Sequence, residues 1–282
     1  MSMPATTEVG LSPVSDPAPA LYPQFILLGD SITQNSTVTL QAYLTTQYTR
    51  RFDVVNRGFS GYTAPLGLCA IQKFLPKPFA IPSQTVPQLK LLALWYGAND
   101  ACAPGGVGNQ HVPLDEYVAS LEAITRYPVL EAHKTAIVIL TPPPVDEHQF
   151  DNINPRTAAR TAQYAAASRE LARGLGCPLV DVWKLFMEEA GCVVDSMSQQ
   201  AALLGSKEVP PSRVFKELLW DGLHLSTRGY RLVFEEMMRV IQRDLPALAP
   251  ENLPLTISER VMPKRGRKAR GPVPEGPEVQ LL

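Results

Sequence analysis

An α/β domain with a parallel sheet covered by helices on both faces is the architecture this 282-residue sequence predicts. Three observations carry the prediction. Nearly continuous apolar runs, as at 25–28 and 89–95, lack the polar/apolar alternation of a half-exposed strand and read as strands buried on both sides. These runs alternate with segments of helical periodicity, the order that builds parallel sheets. The length suits one substantial domain better than two.

The elements follow in order. Residues 25–28 form a first strand that stops at Gly29, and a helix is expected from about 37 to 48. A second strand, 52–55, stops at Asn56-Arg57-Gly58, and a third, 89–95, stops at Gly97. Tyr117, Leu121 and Ile124 recur at helical spacing. A fourth strand, 136–140, ends at three prolines, 142–144, and 178–180 reads as a fifth. Residues 155–174 are alanine-rich and lie between a proline and a glycine, which predicts a helix. Tyr230, Val233, Phe234, Met237, Val240 and Ile241 make one apolar face of a last helix, with Ser226 as its N-cap.

Three regions result: a flexible lead-in at 1–22, a folded domain at 23–245, and a Pro-rich basic tail at 246–282 expected to be largely disordered. With 45% hydrophobic and 19% charged residues the balance is that of a soluble globular chain, and a net charge of -1 gives no whole-chain attraction to nucleic acid or anionic membranes. No apolar stretch approaches the roughly 18–20 residues of a membrane span. The lead-in lacks the basic and apolar regions of a signal peptide. Cys69, Cys102, Cys177 and Cys192 form no C-x-x-C and meet no histidine pair, so they read as reduced thiols in a metal-free, cofactor-free cytoplasmic protein. The basic run from Lys264 to Arg270 reads first as a solvated tail; nuclear targeting and minor-groove DNA contact are the alternatives. No feature assigns an oligomeric state.

Ligands of an open parallel sheet bind outside the carboxyl ends of its strands. Gly29-Asp30-Ser31 follows the first strand, Asn56 to Gly61 the second, and Gly97-Ala98-Asn99-Asp100 the third. Asp221-Gly222-Leu223-His224 precedes the last helix. Together they supply a complementary set. Ser31 needs a base, His224 is one, and Asp221 would fix its tautomer. Gly61 and Asn99 are donors for a developing oxyanion. Alternative readings are structural: Ser31 as a helix cap, Asp221 and Asn99 as turn residues, His224 as a buried histidine. Ser60 competes as nucleophile but lacks a G-x-S-x-G setting, since Tyr62 takes the last position. Asp30 and Asp100 are expected to hold loops. His111 either lines the pocket or fixes a loop, His148 lies in a loop, and His133 is expected to be solvated at a helix end. Trp95, Tyr96, Tyr62 and Trp220 read as core or wall residues.

The four blocks resemble those of the SGNH, or GDSL-type, esterases, and the likeness runs from about 24 to 243. Within that family the sequence is most similar to isoamyl acetate-hydrolysing esterases, through Gly29 to Gln34, Arg57 to Tyr62, His111 to Leu114, Thr141 to Glu147 and Asp221 to Ser226. The resemblance implies a flavodoxin-like three-layer α/β/α sandwich of about five parallel strands. It implies a carboxylic ester hydrolase acting on a small-molecule ester without a metal. The implied catalytic residues are Ser31, Asp221 and His224, with an oxyanion hole of the Ser31 and Gly61 amides and the Asn99 side chain. Small acetate-type esters are the expected substrates; Tyr62, Asp100, His111 and Trp220 are the expected pocket residues. A carbohydrate O-deacetylase or a lysophospholipase would use the same site, and a non-catalytic binding protein is the remaining reading. The run Ala64-Pro65-Leu66 departs from the Arg-Trp that family members tend to carry there, which leaves acyl and alcohol specificity open. Residues 188–211 match no family motif and read as an insertion beside the pocket.

Overall fold

The computed structural model describes residues 21–75, 86–106, 108–151, 154–193 and 203–256. Five parallel strands make one sheet in the order β2-β1-β3-β4-β5: β1 (Gln24–Gly29), β2 (Asp53–Gly58), β3 (Leu89–Trp95), β4 (Ala136–Leu140) and β5 (Leu179–Val180). All five strands stand where the sequence places them. β2 runs three residues past its expected end, because Asn56, Arg57 and Gly58 pair with Leu27, Leu28 and Gly29 along the full length of β1.

Nine helices cover the sheet among the described residues: α1 (Ser31–Gln34), α2 (Leu40–Gln47), α3 (Ala64–Phe74), α4 (Leu114–Thr125), α5 (Pro128–Ala132), α6 (Ala158–Leu175), α7 (Val182–Glu189), α8 (Arg213–Leu218) and α9 (Thr227–Asp244). Strand pleating divides the core in two. Phe25, Leu27, Leu91, Ala93 and Trp95 face a cluster containing Leu44 of α2, Phe186 of α7, Phe215 of α8 and Met237 of α9. Ile26, Leu28, Leu92 and Leu94 face Ile71 of α3, Tyr117 of α4, Leu130 of α5 and Leu171 of α6. Burial on both faces is why these strands show no alternation.

Local chemistry sets the helix ends. The Thr157 hydroxyl accepts from Arg160 N and starts α6, while Gly176 ends it in the left-handed region at φ 65°. The helix therefore begins three residues later than expected, and Pro155 and Arg156 stay in the preceding loop. Ser226 caps α9 as expected, accepting from Gly229 N. α3, α7 and α8 have no counterpart in the sequence reading, while α5 ends with His133 as its C-cap, where a helix end was expected. The chain also stays packed beyond 245: Ala249 and Pro250 are buried, the Tyr48 hydroxyl donates to Leu248 O (3.0 Å), and Thr256 N donates to Arg50 O (2.8 Å). The expected disorder therefore does not hold for 246–256, and 257–282 lie outside the described residues. The lead-in through 20 and the basic run lie outside the described residues. Among the described residues no helix is long and apolar enough to cross a membrane.

Candidate active site

The order 2-1-3-4-5 changes direction between β1 and β3, the place where an open parallel sheet leaves a crevice at the carboxyl ends of its strands. β1 delivers Gly29-Asp30-Ser31 there. Asp30, not Ser31, caps α1, with its Oδ1 accepting from Ile32 N (2.8 Å). The Ser31 hydroxyl is therefore free for another partner, and it lies 2.9 Å from His224 Nε2. α1 is clamped to β2: Asn56 Nδ2 donates to Thr33 O (2.8 Å), and Gln34 Oε1 accepts from Ser60 N (2.8 Å). A Cβ on Gly58 would come within 2.1 Å of Gln34 N, so only glycine allows α1 this close.

His224 comes from a pinched loop between α8 and α9. Leu219 and Leu225 form an antiparallel bridge, and Trp220 N donates to His224 O (3.0 Å). Asp221 folds back under the loop: Oδ1 accepts from Leu223 N (3.0 Å) and His224 N (2.7 Å), and Oδ2 accepts from His224 Nδ1 (2.6 Å). Gly222 permits the turn at φ 85°. Burial alone would raise the Asp221 carboxyl, but hydrogen bonds from the His224 ring and the His224 and Leu223 amides outweigh it and hold it below the ordinary range. An ionised Asp221 keeps the proton on Nδ1, which leaves Nε2 as an acceptor facing Ser31 Oγ. The indole of Trp220 lies nearly parallel to this imidazole, with centroids 5.6 Å apart and planes at 19°.

Three N–H donors of the strand-end loops stand uncommitted among the described residues. The Ser31 amide opens α1 and has no intrahelical partner. Gly61 N–H takes no acceptor among the described residues, and the residue sits at φ 79°. Asn99, buried, donates one amide hydrogen to Tyr62 O (2.8 Å), and its second is uncommitted. Behind Asn99 stands Arg156, which the sequence reading missed. Its Nη2 donates to Asn99 Oδ1 (2.7 Å) and Gln110 Oε1 (3.0 Å), and its Nε to Ala98 O (2.9 Å). Gln110 Nε2 then donates to Gly61 O (3.0 Å). Arg156 sits in a loop outside the four blocks, so no local pattern marked it.

The other expected site residues sort differently. Asp100 is wholly buried rather than in the pocket: it accepts from Ala64 N (2.8 Å) and Gly97 N (3.1 Å), pinning α3 to the β3 loop. Burial raises Asp100 to about 7 and Asp30 to about 6, against the pull of backbone N–H bonds. His111 fixes a loop, one of its two readings. Its Nδ1 donates to Cys102 O (2.8 Å), and it lines a hollow of about 360 Å³ with Gly61, Thr63, Leu66 and Gln110. Tyr62 is displaced from this hollow: its ring packs on Phe59 (5.1 Å) and lines a separate hollow with Arg57 and Phe74. Trp220 is not core but 63% exposed. His133 is not solvated; it is buried and its Nδ1 accepts from Leu89 N (2.9 Å), satisfying the first amide of β3. His148 Nε2 donates to Ser206 O and Val209 O, so 203–209 packs on the loop that supports Gly222 through Asp146 N–H to Gly222 O (2.8 Å). Of the expected insertion, 194–202 lie outside the described residues. All four cysteines are free. Among the described residues no three His, Cys, Asp or Glu side chains converge to hold a metal.

Residues 27–232 match the GDSL-like lipase/acylhydrolase family. The chain belongs to that family. This GDSL protein is 29% identical over 251 residues to the isoamyl acetate-hydrolyzing esterase 1 homolog of Bos taurus, across 84% of this chain and 90% of that one. It is equally identical, 29% over 251 residues, to the isoamyl acetate-hydrolyzing esterase of Saccharomyces cerevisiae, across 82% and 91%. Among solved structures, the lipase/acylhydrolase from Enterococcus faecalis superposes with a TM-score of 0.57 at 19% identity, covering 84% of this chain and 100% of that one. An acetylxylan esterase from Geobacillus stearothermophilus superposes at 0.54 and 21% identity, across 78% and 94%. The structural likenesses establish the shared fold; the family and its esterase relatives establish an enzyme, a carboxylic ester hydrolase.

Proposed function

We propose that this GDSL enzyme hydrolyses small acetate-type esters with Ser31 as nucleophile, His224 as general base and acid, and Asp221 as the group that orients it. The observation that carries the reading is the continuous relay from Ser31 Oγ to His224 Nε2 (2.9 Å) and from His224 Nδ1 to Asp221 Oδ2 (2.6 Å). His224 takes the Ser31 proton as Oγ attacks the ester carbonyl carbon. The carbonyl oxygen gains charge and is held by the Ser31 and Gly61 amides and Asn99 Nδ2. The intermediate collapses to an acyl-serine, and His224 returns the proton to the departing alkoxide. Water, deprotonated by His224, releases the acid and restores Ser31.

The choice of short esters rests on two supports. The hollow beside Gly61, about 360 Å³, suits a compact group better than a long acyl chain. Two relatives are named for hydrolysis of isoamyl acetate. The exposed indole of Trp220 offers an apolar surface beside the His224 imidazole, the group that would protonate the leaving alcohol. The test is kcat/KM across acetate, butyrate and octanoate esters of one alcohol, with acetylated xylo-oligosaccharides and lysophosphatidylcholine alongside. Acetate or butyrate should be preferred among the simple esters, with no turnover by Ser31→Ala. A preference for octanoate, for lysophosphatidylcholine or for the carbohydrate ester would overturn the substrate assignment.

A further inference from the structure

We infer that Arg156 is the positioning residue of the oxyanion hole, aligning both Asn99 and Gly61 through one guanidinium. The inference rests on the reading of Asn99 and Gly61 as oxyanion donors. A carboxamide end is nearly symmetric in shape but opposite in function on its two sides. Turned by 180° about χ2, Asn99 would offer its oxygen, not its N–H, to a developing negative charge. Something must select the productive orientation, and a guanidinium can, because it carries donors and no acceptor.

Arg156 Nη2 lies 2.7 Å from Asn99 Oδ1, which fixes the oxygen on the Arg156 side. Tyr62 O, 2.8 Å from Nδ2, fixes the nitrogen on the other. The same Nη2 lies 3.0 Å from Gln110 Oε1, which orients a second carboxamide. Gln110 Nε2 then reaches Gly61 O at 3.0 Å. Gly61 sits at φ 79°, and a donor on its carbonyl holds the conformation that exposes its N–H. Arg156 is itself anchored, with Nε on Ala98 O (2.9 Å) and its backbone N–H on Asn154 Oδ1 (3.1 Å). A cation on Asn99 Oδ1 also polarises the amide, strengthening the N–H that faces the reacting oxygen. Arg156 does not touch substrate; it acts through the two donors.

The experiment measures kcat and KM on a short acetate ester for Asn99→Ala, Arg156→Ala, Arg156→Lys, Gln110→Ala and the double variant Asn99→Ala/Arg156→Ala, with a melting curve for each. Arg156→Ala should lower kcat by ~10- to 100-fold at nearly unchanged KM, less than the ~10²–10³ expected for losing the Asn99 donor outright. Arg156→Lys and Gln110→Ala should fall between wild type and Arg156→Ala. The double variant should be no more than a few-fold slower than Asn99→Ala, since Arg156 has then lost its main target. Methylguanidinium should restore part of the kcat of Arg156→Ala and none of Asn99→Ala. Normal turnover in Asn99→Ala would sink the oxyanion assignment itself. An impaired Asn99→Ala beside normal kcat in Arg156→Ala, or fully multiplicative losses in the double variant, would sink the positioning role alone. Should Arg156→Ala fail to fold, Gln110→Ala and Arg156→Lys decide the matter: wild-type kcat in both overturns the proposal.

Discussion

Replacing Asp221 by asparagine should separate the chemistry of the site from its architecture. The carboxylate makes three contacts: Oδ1 accepts from the Leu223 and His224 amides, and Oδ2 accepts from His224 Nδ1. Asparagine keeps one oxygen, and the two backbone amides hold it, so the loop retains its shape. The new NH2 then faces Nδ1 at 2.6 Å, where two donors cannot coexist. His224 is forced into the tautomer protonated at Nε2, and it presents a hydrogen where it must accept one from Ser31. Equivalent tautomer reversals in serine hydrolases cost about 10⁴ in kcat, or about 5.5 kcal/mol of transition-state stabilisation. KM should barely move, and the melting temperature should stay within roughly 2 °C, since no backbone partner is lost. Asp221→Ala, by contrast, strands two backbone amides and should lower stability by about 1–3 kcal/mol as well as activity. Steady-state kinetics on an acetate ester with parallel thermal melts is the assay. An Asp221→Asn enzyme within ten-fold of wild-type kcat would refute the tautomer argument.

Two further outcomes follow from the buried surroundings of Ser31. Burial raises the Asp30 carboxyl to about 6, above the 3.8 of an exposed aspartate, so between those values the folded chain keeps a proton that the unfolded chain has released. Its contribution to stability is present below about pH 4 and lost as pH rises through 6. Relative to Asp30→Asn, the wild type should therefore lose on the order of 2–3 kcal/mol between pH 4.5 and 7.5, as read from urea midpoints; a difference that is flat or grows with pH would contradict this. Gly58→Ala should damage folding and catalysis together, because its Cβ would press into the α1 backbone at Gln34 and shift Ser31. A cost of at least about 1–3 kcal/mol in thermal or urea unfolding, with a drop in kcat, is expected, and wild-type values for both would contradict it.

The fold and the Ser31–His224–Asp221 contacts are largely legible in the sequence, for a common physical reason. Strands buried on both faces write themselves as apolar runs, and all five fell where 25–28, 52–55, 89–95, 136–140 and 178–180 suggested. The groups at the carboxyl edge are local, since Ser31 follows β1 directly and Asp221 reaches His224 within one turn. What escaped depends on tertiary partners. α3 begins at Ala64-Pro65 because the buried Asp100 carboxylate holds Ala64 N, a contact made across 36 residues. His133 reads as solvated because it stands at a polar helix end, yet its ring is tucked against the start of β3. Arg156 bears no motif, and its contacts to Ala98 and Asn99 exist only because α6 begins beside the β3 loop. Residues 246–256 read as tail from their prolines, but Leu248 and Thr256 bond to the segment that follows α2.

Labelling with a fluorophosphonate reports whether Ser31 is an activated nucleophile. A fluorophosphonate reacts with a serine when a base removes its proton and donors hold the charged oxygen on phosphorus, the roles proposed for His224 and for the Ser31, Gly61 and Asn99 donors. The purified enzyme should carry a single adduct on the peptide containing Ser31, absent from Ser31→Ala and strongly slowed in His224→Ala. A well-folded enzyme that hydrolyses esters but is labelled at Ser60 or another residue, or not at all, would contradict the assignment of Ser31 as nucleophile.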